Sequence, residues 1–137
     1  FNIAQLCTLK MLEAKNRKKI GGSIINMSSQ MAFVGSPGRT LYCTSKHAIE
    51  GLTKSLAVEL AEQQVRVNSV APTFVETPMT KPMLENPEFK EFVFDMIPMK
   101  KLAKVDDVAN SCIFLLSDLT QMITGTSIKV DGGWTAK

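Results

Sequence analysis

Apolar positions follow a helical period in some stretches of the chain and form short, glycine-bounded runs in others. From Asn2 to Lys19 the residues Ile3, Leu6, Cys7, Leu9 and Leu12 make a broad apolar surface on a predicted helix. Ser23 to Met27 is short, apolar and flanked by glycine, the pattern of a buried strand. Gln30 to Arg39 carries Gly35, Pro37 and Gly38 and is a predicted loop. Thr40 to about Glu62 is a long predicted helix with Ala48, Ile49, Leu52, Leu56 and Leu60 on one stripe. Val65 to Val70 is the next strand, closed by Ala71-Pro72. Thr73 to Lys104 is irregular and proline-rich, with one short helix expected from Asn86 as N-cap and Pro87 at the first helical position. A further helix opens at Asp106-Asp107, with Val108, Ala109, Cys112, Leu115 and Leu116 as its apolar set. Thr126 to Val130 is the last strand, ended by Asp131-Gly132-Gly133.

Alternating helix and strand implies an α/β fold, with right-handed crossovers and a parallel sheet covered by helices on both faces. Ligands of such sheets bind beyond the carboxyl ends of the strands. Ser28-Ser29 and Pro72-Thr73 both follow predicted strand ends, and the helix from Thr40 starts on that same side. The chemistry-bearing residues therefore fall where this architecture forms clefts.

Composition narrows the function classes. With 137 residues the chain has room for one domain. It opens on Phe1-Asn2-Ile3, inside a predicted helix, and is expected to be a fragment or processed piece. A net charge of +3 is too small to argue for nucleic acid. The basic run at residues 15–19 precedes Gly21-Gly22 and is expected to be a solvated helix end. Cys7, Cys43 and Cys112 are scattered and form no Cys-x-x-Cys, and His47 is alone, so no metal cluster is expected. Three unpaired thiols suit a reducing, cytoplasmic setting. No stretch is long and apolar enough for a membrane span.

Tyr42 and Lys46 stand at i and i+4, one turn apart on one helix face. A phenol ionises near pH ~10, and a cation about 4 Å away in an effective dielectric of ~20 favours the phenolate by about 4 kcal/mol. Such a pair can move a proton to or from a carbinol oxygen. The Tyr-x-x-x-Lys spacing alone is weak, because any helix contains it by chance. The text around it strengthens it: Gly22-Ser23-Ile24-Ile25-Asn26-Met27-Ser28-Ser29, then Tyr42-Cys43-Thr44-Ser45-Lys46, then Val67-Asn68-Ser69-Val70-Ala71-Pro72 with Thr77-Pro78-Met79, then Thr124-Gly125 and Val130-Asp131-Gly132-Gly133. In combination these resemble the short-chain dehydrogenase/reductase family across essentially the whole chain.

The resemblance is to the C-terminal portion of a family member. It implies residues 1–137 as part of a single Rossmann-like domain, a partial doubly wound parallel sheet whose N-terminal strands are absent. Neither Gly-x-Gly-x-x-Gly nor Gly-x-x-x-Gly-x-Gly occurs in the 137 residues. By resemblance Tyr42 is the catalytic acid/base, Lys46 its cation, Ser29 the hydroxyl that holds the substrate oxygen, and Asn2 the helix asparagine that supports a water chain to the lysine. Tyr42 and Lys46 also belong to the cofactor site. Pro72, Thr73, Val75 and Thr77 correspond to the nicotinamide-side loop, with Thr73 where the family commonly has glycine. The implied cofactor is NAD or NADP.

The resemblance further implies a substrate loop at about 77–100 and a small-molecule alcohol or ketone as substrate. Gln30, beside Ser29, and Glu76 suit a hydroxylated molecule such as a sugar or polyol. The Met and Phe residues of the loop equally suit a hydrophobic ketone. The helices Asn2 to Lys19 and Thr40 to Glu62 resemble the family's main subunit interface, and the last strand and Trp134 lie near its second one, which implies a homotetramer or dimer. The expected activity is hydride transfer between a nicotinamide dinucleotide and a carbinol or ketone. The alternative is a truncated, non-enzymatic relative that serves as a structural or interaction subunit.

Overall fold

The computed structural model describes residues 1–14 and 21–137. The basic run at 15–19, with the expected end of the first helix, lies outside the described residues. Three strands, β1 (Gly22–Met27), β2 (Val65–Pro72) and β3 (Ser127–Val130), form one parallel sheet in the order β1-β2-β3. Ile24 pairs with Val67 and Met27 with Val70, while Ser69 pairs with Ser127 and Pro72 with Val130. The helices are α1 (Asn2–Leu12), α2 (Thr40–Leu60), α3 (Lys81–Leu84), α4 (Pro87–Met96) and α5 (Val105–Leu116).

The strand period sorts β2 between two layers. Val65 and Val67 join Ala4 of α1 and Leu56, Ala57 and Leu60 of α2 in one core cluster. Ser69, two residues on, donates to the Glu50 carboxylate of α2 at 3.0 Å. The intervening Arg66 and Asn68 point to the opposite layer. There the Arg66 guanidinium donates to the Leu115 carbonyl of α5 at 2.8 Å, and Asn68 donates to the Ile123 carbonyl at 2.8 Å. An i, i+2 alternation of this kind is what a strand covered on both faces requires.

The expected α2 stripe holds at Leu52, Leu56 and Leu60, which lie in or against the core, and is corrected at Ala48, which is exposed. The buried face of α2 runs through Cys43, Glu50, Thr53, Leu56, Ala57 and Leu60. Its polar members are paired: Thr53 accepts from Asn26 at 2.9 Å, and Glu50 accepts from Ser69. Burial of these groups is tolerated because their hydrogen bonds are made. On α1 the buried residues are Ala4 and Thr8, while Ile3, Leu6 and Leu9 face outward at 79%, 63% and 53% exposure. The small Ala4 joins the core cluster, and the large residues are left outside.

Asn86 caps α4 as expected, accepting from the Phe89 N–H at 3.0 Å, with Pro87 next. The short α3 falls in the segment expected to be irregular. Beyond α4, Phe74, Phe89, Phe92 and Trp134 form a run of tilted and edge-on ring contacts 5.6–6.3 Å apart. Trp134 is buried among these rings. Among the described residues no helix is long and apolar enough to cross a membrane.

Candidate active site

β1 delivers its chain into a buried turn. After Met27 the Ser28 N–H still pairs with Val70 at 2.8 Å. Ser29 is extended (φ −161°, ψ 156°), and its Oγ accepts from the Met31 N–H at 3.2 Å, capping the short helical turn Gln30–Ala32. The same hydroxyl donates to Gln30 Oε1 at 2.8 Å. Ser29 and Gln30 are both buried, Gln30 to 2% exposure.

The start of α2 faces this turn. Ser36-Pro37-Gly38-Arg39 closes a β-turn, with the Arg39 N–H on the Ser36 carbonyl at 3.1 Å and Gly38 at φ +69°. Pro followed by a positive-φ Gly is the type II pattern. Tyr42 lies one turn into the helix, 44% exposed, and among the described residues its hydroxyl has no hydrogen-bond partner. Lys46 lies on the same face, its Nζ 5.6 Å from the Tyr42 ring centroid. That Nζ also donates to the Met27 carbonyl at 3.0 Å, so one bond ties the helix to the strand end that feeds Ser29. Cys43, on the inward side, contacts Met31 Sδ at 3.8 Å and braces the turn against the helix.

Ser29 and Tyr42 line one cavity of about 190 Å³. Gln30, Arg39, Thr73 and Thr80 supply the rest of its polar wall, and Met31, Phe74, Met79 and Met83 its apolar wall. The volume is below the ~300–1,000 Å³ of drug-sized sites, so it suits a small molecule. A larger cavity, about 470 Å³, opens at the other end of the sheet beside Gly22, Val65 and Arg66. It contains none of these groups and lies at the amino ends of the strands, away from where parallel sheets place ligands.

β2 ends at Pro72, and the loop beyond it is held on two sides. The Thr73 N–H bonds to Val130 at 3.1 Å, and Val75 bridges to Ala103, with the Glu76 N–H on the Ala103 carbonyl at 3.0 Å. Thr80 Oγ1 donates to the Val75 carbonyl and also contacts the Thr77 hydroxyl at 3.2 Å. The Thr73 hydroxyl is buried and has no partner. Pro72, Thr73, Val75 and Thr77 thus form one pinned turn, and Thr73 and Thr80 bring it to the cavity wall.

Asn2 is exposed at the start of α1 and is not among the residues that line this cavity. Arg39 and Thr80 were missed in the sequence. Arg39 stands in an unremarkable Pro-Gly turn, and Thr80 in a stretch without periodicity. No pattern marks either as facing Ser29.

A family model described as Enoyl-(Acyl carrier protein) reductase matches residues 3–135. The chain is 43% identical over 133 residues to L-xylulose reductase of Caenorhabditis elegans, covering 97% of this chain and 51% of that protein. It is 41% identical over 136 residues to carbonyl reductase [NADPH] 2 of Sus scrofa, covering 99% of this chain and 54% of that protein. Among solved structures, gluconate 5-dehydrogenase from Burkholderia cenocepacia J2315, in complex with NADP and tartrate, superposes with a TM-score of 0.91 at 27% identity, covering 100% of this chain and 52% of that one. The chain thus spans about half the length of the curated relatives it matches. The likeness runs through the strand ends, the Tyr42 helix and the closing strand alike, and on it the chain belongs to the short-chain dehydrogenase/reductase family.

Proposed function

We propose that the full-length protein is an NAD(P)-dependent oxidoreductase that interconverts a secondary alcohol and a ketone, with residues 1–137 forming the C-terminal portion of its single catalytic domain. The observation that carries this is the shared cavity: Ser29, from a strand end, and Tyr42, from a helix start, line one small pocket at the carboxyl edge of the sheet. The relatives are reductases and dehydrogenases of sugars, sugar acids and carbonyl compounds, which favours a hydroxylated small molecule. Cofactor names in two of them include NADPH and NADP.

The residues present fit the nicotinamide end of such a cofactor. The pinned turn offers the backbone near Val75 and the Thr77 hydroxyl for a carboxamide, and the orphaned Thr73 hydroxyl lies beside them. When bound, the nicotinamide exchanges a hydride with the carbinol carbon. Tyr42 gives a proton to the substrate oxygen in reduction and takes it in oxidation. Lys46, one turn along, brings its charge to the Tyr42 ring at 5.6 Å while bonded to the Met27 carbonyl at 3.0 Å. Ser29 fixes the substrate oxygen next to Tyr42, and reacting atoms must be held ~3–3.5 Å apart for transfer. To donate to that oxygen, Ser29 must release Gln30 Oε1, and rotation of the neutral carboxamide presents Nε2 in its place. Met79 and Met83 stand over the pocket from the segment at 77–100, which acts as the substrate cover. Asn2 keeps the part the resemblance implies, support of a water chain to Lys46.

A second reading, an assembly subunit without catalysis, is favoured by the outward Ile3, Leu6 and Leu9 of α1 and by Val58 of α2. The same face suits the dimer or tetramer implied by the resemblance. The test is reduction of a ketose by the full-length protein with NADPH and with NADH, read as loss of reduced-nicotinamide absorbance. Turnover supports the oxidoreductase. No turnover with either cofactor leaves the assembly subunit.

A further inference from the structure

The pocket has one feature that proton transfer does not use. Arg39 is the one charged side chain among the described residues that line it. Its guanidinium makes no ion pair, no cap and no hydrogen bond among the described residues. Arg39 is exposed, and its backbone is held by the Ser36–Arg39 turn immediately before α2, where the Cys43 N–H closes the first helical bond on its carbonyl at 2.8 Å. An unpaired guanidinium at the start of a 21-residue helix adds to the positive end of the helix dipole.

A second observation comes from the same lining. Thr73 is more than nine-tenths buried, with an unpartnered hydroxyl. A polar group this deeply buried is ordinarily paired, so its free valence points to a ligand. The pocket therefore combines a planar cation and hydroxyls, with no carboxylate among its lining side chains. A planar guanidinium matches a carboxylate with two parallel hydrogen bonds. A neutral polyol would leave it unused.

We infer that the substrate carries a carboxylate, and that Arg39 is the residue that selects for it. The substrate class is then a hydroxy or keto acid of sugar-like chain length, bound with its acid group at Arg39 and its reacting carbinol between Ser29 and Tyr42. This rests on the pocket being the substrate site of the oxidoreductase proposed above.

The test uses two probes that differ only at one end, gluconate and sorbitol, the latter with a hydroxymethyl group in place of the carboxylate. Each is titrated calorimetrically into the full-length protein and into Arg39→Gln and Arg39→Lys, with saturating NADP present. Oxidation of each probe is followed in parallel. The expected result is gluconate binding about 10–100-fold tighter than sorbitol, the range of a charge-assisted hydrogen-bonded pair. Arg39→Gln removes that difference, Arg39→Lys keeps part of it, and sorbitol affinity changes less than about twofold. Equal affinity for the two probes in the wild type, no binding of either, or an unchanged gluconate preference in Arg39→Gln overturns the inference, whether or not the probes are oxidised. Arg39-dependent gluconate binding without oxidation upholds the inference and counts against the oxidoreductase.

Discussion

The Ser29 hydroxyl donates to the carboxamide oxygen of Gln30 at 2.8 Å, so the one proton Ser29 can give is already engaged. The part proposed for Ser29 therefore requires a neighbour that can exchange its acceptor for a donor. Gln30 can do so by rotation, because an amide carries both groups. A carboxylate has acceptors only and would hold the proton. Gln30→Glu is expected to lower kcat by about 10²-fold, the cost of losing one donor to the reacting oxygen, with dinucleotide Kd unchanged. Steady-state kinetics and a cofactor titration check both halves. An unchanged kcat would mean that Ser29 does not work through Gln30.

Gly132 follows Asp131 at φ +59°, and a Cβ built there would lie 2.7 Å from Ile97 Cγ2. Ile97 is fully buried and has no room to yield. Gly132→Ala combines a left-handed backbone with overpacking and is expected to cost about 2–4 kcal/mol. Urea denaturation measures it, and a loss under ~1 kcal/mol would show that the last turn relaxes freely.

Thr73 carries the opposite sign. Its hydroxyl is buried without a partner, so Thr73→Val removes a polar group that makes no hydrogen bond and keeps the side-chain shape. Without ligand, stability is expected to stay equal or rise by up to about 1 kcal/mol. A clear fall in Tm would mean that the hydroxyl is satisfied within the protein.

Asp131 anchors the chain after β3. Burial pushes its carboxyl up, but the Thr135 hydroxyl at 2.7 Å, the Thr135 and Gly133 N–H groups at 2.9 and 3.0 Å, and the charge of Lys129 outweigh this and hold it below the usual carboxylate range. A lowered folded-state value means stabilisation that is complete above the unfolded value, about 3.9, and is lost as pH falls through the folded one. Asp131→Ala is expected to cost about 0.5–2 kcal/mol at neutral pH, as for other capping carboxylates. The difference from wild type should shrink below about pH 4. Melting curves at neutral and acid pH check this, and a difference that is constant with pH would contradict it.

Much of the fold was legible in the residues. Asn86-Pro87 announced a helix start, and short apolar runs closed by glycine or by Ala71-Pro72 announced three strands. The Tyr42–Lys46 spacing marked one helix face, which the structure turns toward the strand end carrying Ser29. What the pattern did not carry was direction. Periodicity reports that Ile3, Leu6 and Leu9 share a face of α1, but not that Ala4 and Thr8 are the residues that pack. Nor does it report that Glu50 and Thr53 lie inside α2's buried face, because that depends on partners in the sheet, Ser69 and Asn26. Arg39 escaped for the same reason. It lines one cavity with Gln30, nine positions away, and no sequence period encodes that.

The central claim is that Tyr42 moves the proton. Tyr42→Phe in the full-length protein removes one exposed hydroxyl and leaves the ring, Lys46 and the pinned cofactor turn in place. Turnover of a ketone substrate should fall by about 10²–10⁴-fold, the usual worth of a positioned acid/base, while dinucleotide affinity stays unchanged. Wild-type turnover by Tyr42→Phe would contradict the account.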